Sequence, residues 1–155
     1  MHGPVTVPCQ DIEKLQVLGA FFLLINFIKM RKVILTKDAP APIGPYSQAI
    51  QTGHTLFVSG QIAIDPVTNQ LITDDISIET HRVLDNVKAI LNAAGMDFEH
   101  VVKCTVFVKD IGQFSAINSV YTTYFTKEGP PARELVEVSA LPKGVNVEIS
   151  CIAYK

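Results

Sequence analysis

The chain has 155 residues, 48% of them apolar, with 13 basic and 15 acidic side chains and a formal charge of -2, which suits one globular domain with a core of moderate size. Such a chain buries roughly two thirds of its unfolded surface on folding, so its stability requires neither disulfides nor a structural metal. The near-neutral balance contains no basic block and no basic stripe interleaved with aromatics, which argues against nucleic acid as a partner.

Cys9, Cys104 and Cys151 are odd in number and lack C-x-x-C spacing, so they signal neither a disulfide framework nor zinc and fit a reducing compartment. His2, His54, His81 and His100 likewise lack metal-ligand spacing. Cys104 and Cys151 fall in alternating apolar segments, where a small buried thiol is expected rather than a nucleophile.

In chain order, the first thirty residues contain an apolar run, VLGAFFLLINFI, at positions 17–28. It is shorter than the roughly 20 residues a helix needs to cross a bilayer. It also makes a poor secretory signal, because Asp11 and Glu13 outweigh Lys14 where a basic region belongs and no A-x-A-like site follows. A targeting or membrane-associating segment and an apolar helix packed on the domain both remain open readings.

Residues 32–35 predict a first strand, after which Pro40, Pro42, Gly44 and Pro45 break regular structure and deliver Tyr46. A strand over 54–59 is interrupted at Gly60 and resumes over 61–64, and residues 65–69 form a turn cluster. Val83, Leu84, Val87, Ile90, Leu91 and Ala94 recur at helical spacing between 77 and 94, and Gly95 supplies a left-handed stop. Residues 101–108 read as a central strand covered by a helix. Asp110 and Gln113 fit a capping box opening a second helix along Phe114, Ile117, Tyr121 and Tyr124. Segments 134–138 and 145–153 then read as a hairpin around Leu141-Pro142-Lys143-Gly144. Two helices on one face of a mostly antiparallel sheet make an α+β domain over 30–155, with no internal repeat or linker.

Arg133, in Pro130-Pro131-Ala132-Arg133 ahead of a strand, reads as an anion clamp. Its planar fork matches a carboxylate through two bonds, a geometry lysine cannot copy, and the prolines stiffen the loop that presents it. Three further segments stand in fixed order around it. They are Ile43-Gly44-Pro45-Tyr46-Ser47-Gln48-Ala49, Val58-Ser59-Gly60-Gln61 and Val145-Asn146-Val147-Glu148-Ile149. With Leu84-Asp85-Asn86-Val87-Lys88, Val106-Phe107-Val108-Lys109-Asp110 and Leu141-Pro142-Lys143-Gly144, the ordered set resembles the RidA (YjgF-type) imine deaminases from about residue 31 to the end.

That resemblance implies a chorismate-mutase-like α+β fold, a homotrimer with ligand clefts between subunits, and cytoplasmic hydrolysis of 2-imino acids with no metal and no organic cofactor. It implies that Arg133 holds the substrate carboxylate, that Glu148 positions and deprotonates the attacking water, and that Tyr46, Ser59 and Asn118 line the cleft. Enzymes dependent on pyridoxal phosphate would benefit by having released imines cleared. Met30 stands where chains of this family usually begin, so residues 1–29 are expected to be an extension reflecting a misplaced start site.

Read as residues alone, Glu148 is equally a solvated edge residue, Tyr46 the cap of a small apolar patch, Ser59 a small bulge residue, and Asn118 a polar residue on the outer face of the second helix. Leu135 departs from the family, whose best-studied members carry cysteine there, and excludes a thiol mechanism at that position. A non-catalytic trimer that binds small carboxylates is the rival reading. Chorismate mutase is another by fold analogy alone, but its dianionic substrate calls for more cations than Arg133.

Overall fold

The computed structural model describes residues 31–126 and 128–155. Cys9, the apolar run at 17–28 and Met30 lie outside the described residues. Six strands form one sheet: β1 (Arg31–Ile34), β2 (Ala49–Thr52), β3 (Thr55–Gln61), β4 (Val101–Val108), β5 (Ala132–Glu137) and β6 (Val147–Tyr154). Their order across the sheet is β1-β2-β3-β6-β4-β5, with every pair antiparallel except β4 and β5, which run parallel. Two helices, α1 (Ile76–Ala93) and α2 (Phe114–Tyr124), cover one face. Among the described residues, no helix is long and apolar enough to cross a membrane.

Helix α1 forms where the apolar stripe predicts. Asp75 caps it by accepting from the Ser77 and Ile78 amides, and Gly95, at φ 69°, ends it while Met96 N–H donates back to Leu91 O at 3.0 Å. Its stripe of Val83, Leu84, Val87, Ile90 and Leu91 is buried against Val147, Ile149, Cys151 and Ala153 of β6 and Leu56 and Val58 of β3. The alternation in β6 makes the remaining residues, Glu148, Ser150, Ile152 and Tyr154, face the other way. That second face carries Val33, Ile50, Phe57, Phe107, Ile152 and Val136, and among the described residues no helix lies over it. Val33, Phe57 and Val136 are roughly half exposed there.

Three local expectations need correction. Strands β5 and β6 are not a hairpin: β6 lies between β3 and β4, and β5 joins the far edge parallel to β4. Two strands flanking a short turn look like a hairpin in any local window. Here a turn with Lys143 and Gly144 at φ 57° and 72° releases β6 to pair with strands distant in sequence, which bury its inner residues. Strand β3 ends at Gln61, beyond which Ile64 makes only an isolated bridge to Leu71. Asp110 does cap, but onto Gly112 N, opening a short 3-10 turn (Ile111–Gln113); Gln113 makes no side-chain cap bond to α2.

Gln48 explains how the proline-rich loop before β2 holds its shape. Its buried amide donates to the carbonyls of Thr36, Ala39 and Pro40 at 2.8–3.2 Å and accepts from Thr36 N–H at 2.8 Å. A loop that cannot pair its backbone within a sheet is thus satisfied by one side chain.

Candidate functional site

Tyr46, Ser59 and Glu148 converge on the face of the sheet opposite α1 and α2. They line a cleft of about 260 Å³ together with Ile43, Gly60, Ile62 and Pro142. Ser59 sits where the pairing of β3 with β6 shifts register between Val58 and Gln61, so it is a bulge residue and a cleft residue at once. Its hydroxyl donates to Ser47 O at 2.7 Å, which ties β3 to the Tyr46 loop. Tyr46 is 46% exposed, and its hydroxyl accepts from Ile43 N–H at 3.2 Å.

Gly60 has a steric role invisible in the sequence. A Cβ built on it would lie 1.8 Å from Glu148 Oε1 and 2.7 Å from its carboxyl carbon, so any side chain there would displace the carboxylate from this position. Its φ lies outside the left-handed region, so close approach and not backbone freedom requires it. Pressed against Gly60 and half buried, Glu148 has its pKa raised by desolvation alone, with no charged neighbour contributing.

Arg133 and Asn118 meet elsewhere. Arg133 pairs in register with Cys104, whose side chain is buried beneath the helices, and its guanidinium Nη1 donates to Asn118 Oδ1 of α2 at 3.1 Å. The guanidinium also lies over the Tyr121 ring, 4.6 Å from its centroid, and 5.9 Å from that of Phe114. Asn118, Tyr121 and Phe114 all come from α2, so one helix face orients the fork. Asn118 is therefore Arg133's partner and not a residue on an outer surface. The Tyr121 hydroxyl is buried beside the Cys104 thiol without a well-formed hydrogen bond, and burial raises the pKa of both groups. Cys151, opposite Cys104 in β6, is buried and also raised by desolvation, as expected of structural thiols.

The five candidate residues thus form two groups on opposite faces of one sheet. Glu148 pairs with Phe107 on the open face, while Arg133 pairs with Cys104 on the helix face. Within one subunit they do not meet. Leu135, two residues beyond Arg133, packs against the core and does not line the Glu148 cleft. A larger cavity, about 300 Å³, lies between Phe98, Tyr124, Phe125 and Pro130 and contains none of the five residues, so size alone does not locate the chemistry. Among the described residues, no group of three or more His, Cys, Asp or Glu side chains is placed to hold a metal.

Sequence reasoning missed Tyr121 and the reason for Gly60. Tyr121 had a legible signal, because it stands one helical turn after Asn118 on a stripe already predicted. Gly60 had none, since the carboxylate it accommodates is far away in the chain.

The sequence profile of the Endoribonuclease L-PSP family matches residues 36–155, which takes in both half-sites. The chain belongs to that family, the RidA (YjgF-type) proteins. A RutC family protein from Pyrococcus horikoshii is 54% identical over 126 residues, covering 81% of this chain and 99% of that one. A Bos taurus protein named 2-iminobutanoate/2-iminopropanoate deaminase is 48% identical over 126 residues, covering 81% of this chain and 91% of its own length. The crystal structure of the YjgF gene product from E. coli superposes with a TM-score of 0.76 at 44% identity, covering 80% of this chain and 98% of that one. The mostly antiparallel sheet with two helices on one face is accordingly the RidA fold.

Proposed function

We propose that this RidA-family protein hydrolyses 2-imino acids, 2-iminobutanoate and 2-iminopropanoate in the first place, to 2-keto acids and ammonia. The observation that carries this reading is the pair of complementary half-sites: a desolvated carboxylate in a small, mostly apolar cleft, and an oriented arginine with part of its fork uncommitted. The name of the bovine relative supports the same chemistry.

The substrate carries a carboxylate beside an electrophilic C=N carbon. Arg133 takes the carboxylate through charge-assisted hydrogen bonds, with Asn118 and the Tyr121 ring fixing its direction. Glu148 removes a proton from water as the oxygen attacks the imine carbon. It delivers that proton to the nitrogen, giving a carbinolamine. It then takes the proton of the new hydroxyl and passes it to the same nitrogen as C=O forms and the C–N bond breaks, so both protons of water leave on ammonia and the enzyme is unchanged. A raised carboxyl pKa suits both directions of transfer. Ile43, Ile62 and Pro142 leave space for a short aliphatic side chain.

Because Arg133 and Glu148 face opposite ways in one subunit, we assign the complete site to the junction of two copies in a homotrimer, with the open sheet face buried between subunits. Its exposed Val33, Phe57 and Val136 support that assembly. The net charge and the absence of a basic stripe favour a small anion over nucleic acid as the ligand, in the cytoplasm, where enzymes that use pyridoxal phosphate release imines.

The test is decay of both imines, generated in situ and trapped with semicarbazide, with wild type, Arg133→Ala and Glu148→Ala. Loss of one charged contact should cost roughly 2–5 kcal/mol in each folded variant. A wild type that forms trimers by light scattering yet leaves imine decay unchanged would turn the reading to a carboxylate-binding protein without turnover.

A further inference from the structure

Among the described residues, one acidic side chain is fully buried, and the reaction above does not use it. Glu79, in the first turn of α1, is completely buried. A buried carboxylate is retained only where donors replace its water, and Glu79 has three. Its Oε1 accepts from the backbone N–H of Asn146 at 2.7 Å and of Val147 at 3.3 Å, and its Oε2 accepts from the Asn146 side-chain amide at 2.8 Å. The Asn146 carbonyl in turn accepts from Lys109 N–H at 2.9 Å, so this residue is held from three directions.

The place that is held matters. Asn146 and Val147 are the last fixed points before Glu148, and the segment arriving there contains the consecutive left-handed residues Lys143 and Gly144. Pro142, from the same segment, forms a wall of the Glu148 cleft. Without an anchor, a turn with two positive φ values can deliver β6 with its first residues displaced. Seven residues along α1, on the same helix face, the fully buried Asn86 donates to Ile62 O at 3.0 Å and Ile64 O at 2.9 Å. It thereby fixes the opposite wall, where Ile62 follows Gly60 and Gln61.

We propose that Glu79 is a positioning residue for Glu148: from the helix side of the sheet it pins Asn146 and Val147, so that the carboxylate on the open side projects against Gly60 into the cleft. Asn86 fixes the facing wall from the same helix. The inference rests on the deaminase reading only for its kinetic consequence; the geometric consequence is independent of turnover.

The experiment measures kcat and KM for imine hydrolysis, and the titration of the Glu148 carboxyl by NMR with carbon-13-labelled glutamate, in wild type, Glu79→Ala and Glu79→Gln. In Glu79→Ala, kcat is expected to fall by about a hundredfold with KM little changed, as for a misplacement of the reacting group by about 1 Å. The Glu148 signal should titrate lower, closer to an ordinary glutamate, because a carboxylate no longer held against Gly60 gains water. Within the chain no charged group contributes to its raised value, and Lys103 and Glu134 on the same face pair with each other. Recording the titrations in an Arg133→Ala background removes the one cation the proposed junction would add, so solvent access is what they read. Glu79→Gln should restore both readouts, since its oxygen can accept the two backbone N–H groups and its amide can meet Asn146 once that side chain turns over. If Glu79→Ala does not fold, Glu79→Asp, which keeps the charge but withdraws it by one methylene, supplies the same pair of readouts.

A folded Glu79→Ala or Glu79→Asp protein with unchanged Glu148 titration overturns the proposal, and so does a loss confined to KM. A wild type that fails to hydrolyse imines while Glu79→Ala still moves the Glu148 titration removes the deaminase reading and leaves the positioning role standing.

Discussion

The two faces of the sheet solve opposite electrostatic problems. On the helix face, Arg133 is a cation supplied with everything except an anion: Asn118 takes one guanidinium nitrogen and the Tyr121 ring supports its plane. On the open face, Glu148 is desolvated with no cation among the described residues to compensate it. Each arrangement is unsatisfied alone, and each lacks what the other provides. A protein gains nothing in stability from a half-buried carboxylate without a partner, so its retention points to use.

The sharpest way to break this comparison is to separate the two residues genetically. If the complete site takes Arg133 from one subunit and Glu148 from its neighbour, Arg133→Ala and Glu148→Gln proteins are each inactive alone. Unfolding and refolding them as an equimolar mixture then regenerates intact sites. Random assortment in a closed ring puts both native residues together at about a quarter of the sites. Recovery near a quarter of wild-type imine hydrolysis is the expected result, and no recovery would return the site to a single chain.

Next in size is Gly60→Ala. The added methyl would overlap Glu148 Oε1, and the carboxylate is the partner able to move. Since Gly60 does not occupy the left-handed region, the backbone bears the substitution and thermal unfolding should change little. Activity, by contrast, should fall by about a hundredfold through misplacement of the base. An equal loss of stability and activity would mean that the bulge itself, and not the space beside it, needs glycine.

The electrostatic contrast can be measured directly. Within one subunit burial is the sole cause that raises the Glu148 pKa, whereas a neighbour's Arg133 in the assembled protein would favour the charged form and lower it. If the two residues meet in such an assembly, Arg133→Ala should therefore move the Glu148 titration upward. The sign for stability follows from the raised value in the variant. Below the ordinary glutamate pKa, Glu148 is protonated folded and unfolded and costs nothing. As pH rises through the folded value, the charged form must be kept half buried, so Arg133→Ala should lose stability relative to Arg133→Ala/Glu148→Gln. Denaturant midpoints of the two proteins across that range would check it, and parallel curves would show that Glu148 carries no raised pKa when folded. An Arg133→Ala titration of Glu148 that does not move would show that the two residues do not face each other.

How much of this was legible beforehand differs between the two faces for a physical reason. Helix α1 was legible to within a residue or two because its signal is local: a stripe of apolar residues and a terminating glycine. The parity of Glu148 was also legible, since Val147, Ile149 and Cys151 alternate with it as buried residues. The parity of Arg133 was not. Strand β5 lies at an edge with intermediate burial through Arg133, Glu134 and Leu135, and only contact with Asn118 and Tyr121 decides which way the arginine points. The false hairpin has the same origin, because strand pairing is set by partners far apart in the chain whereas turn signals describe only neighbours. Motif order supplied the candidate residues, but it carried no information on how they divide between faces.

Leu135 tests the quiet end of the comparison. A residue two positions from a substrate-binding arginine is easily taken as part of the pocket, yet Leu135 packs with the partly buried side chains around the core beneath the helices. Replacing it by cysteine removes apolar volume there and leaves the lining of the Glu148 cleft unchanged. Leu135→Cys should accordingly cost about 1 kcal/mol in stability, at the low end for a truncated apolar side chain at a half-buried position. The ratio of kcat/KM for 2-iminobutanoate over 2-iminopropanoate should stay as in wild type, because in the proposed site that extra methylene would meet Ile43, Ile62 and Pro142. Should the ratio change while stability does not, Leu135 would face substrate in the assembled protein, and the boundary between helix face and open face would have to be redrawn at the far end of β5.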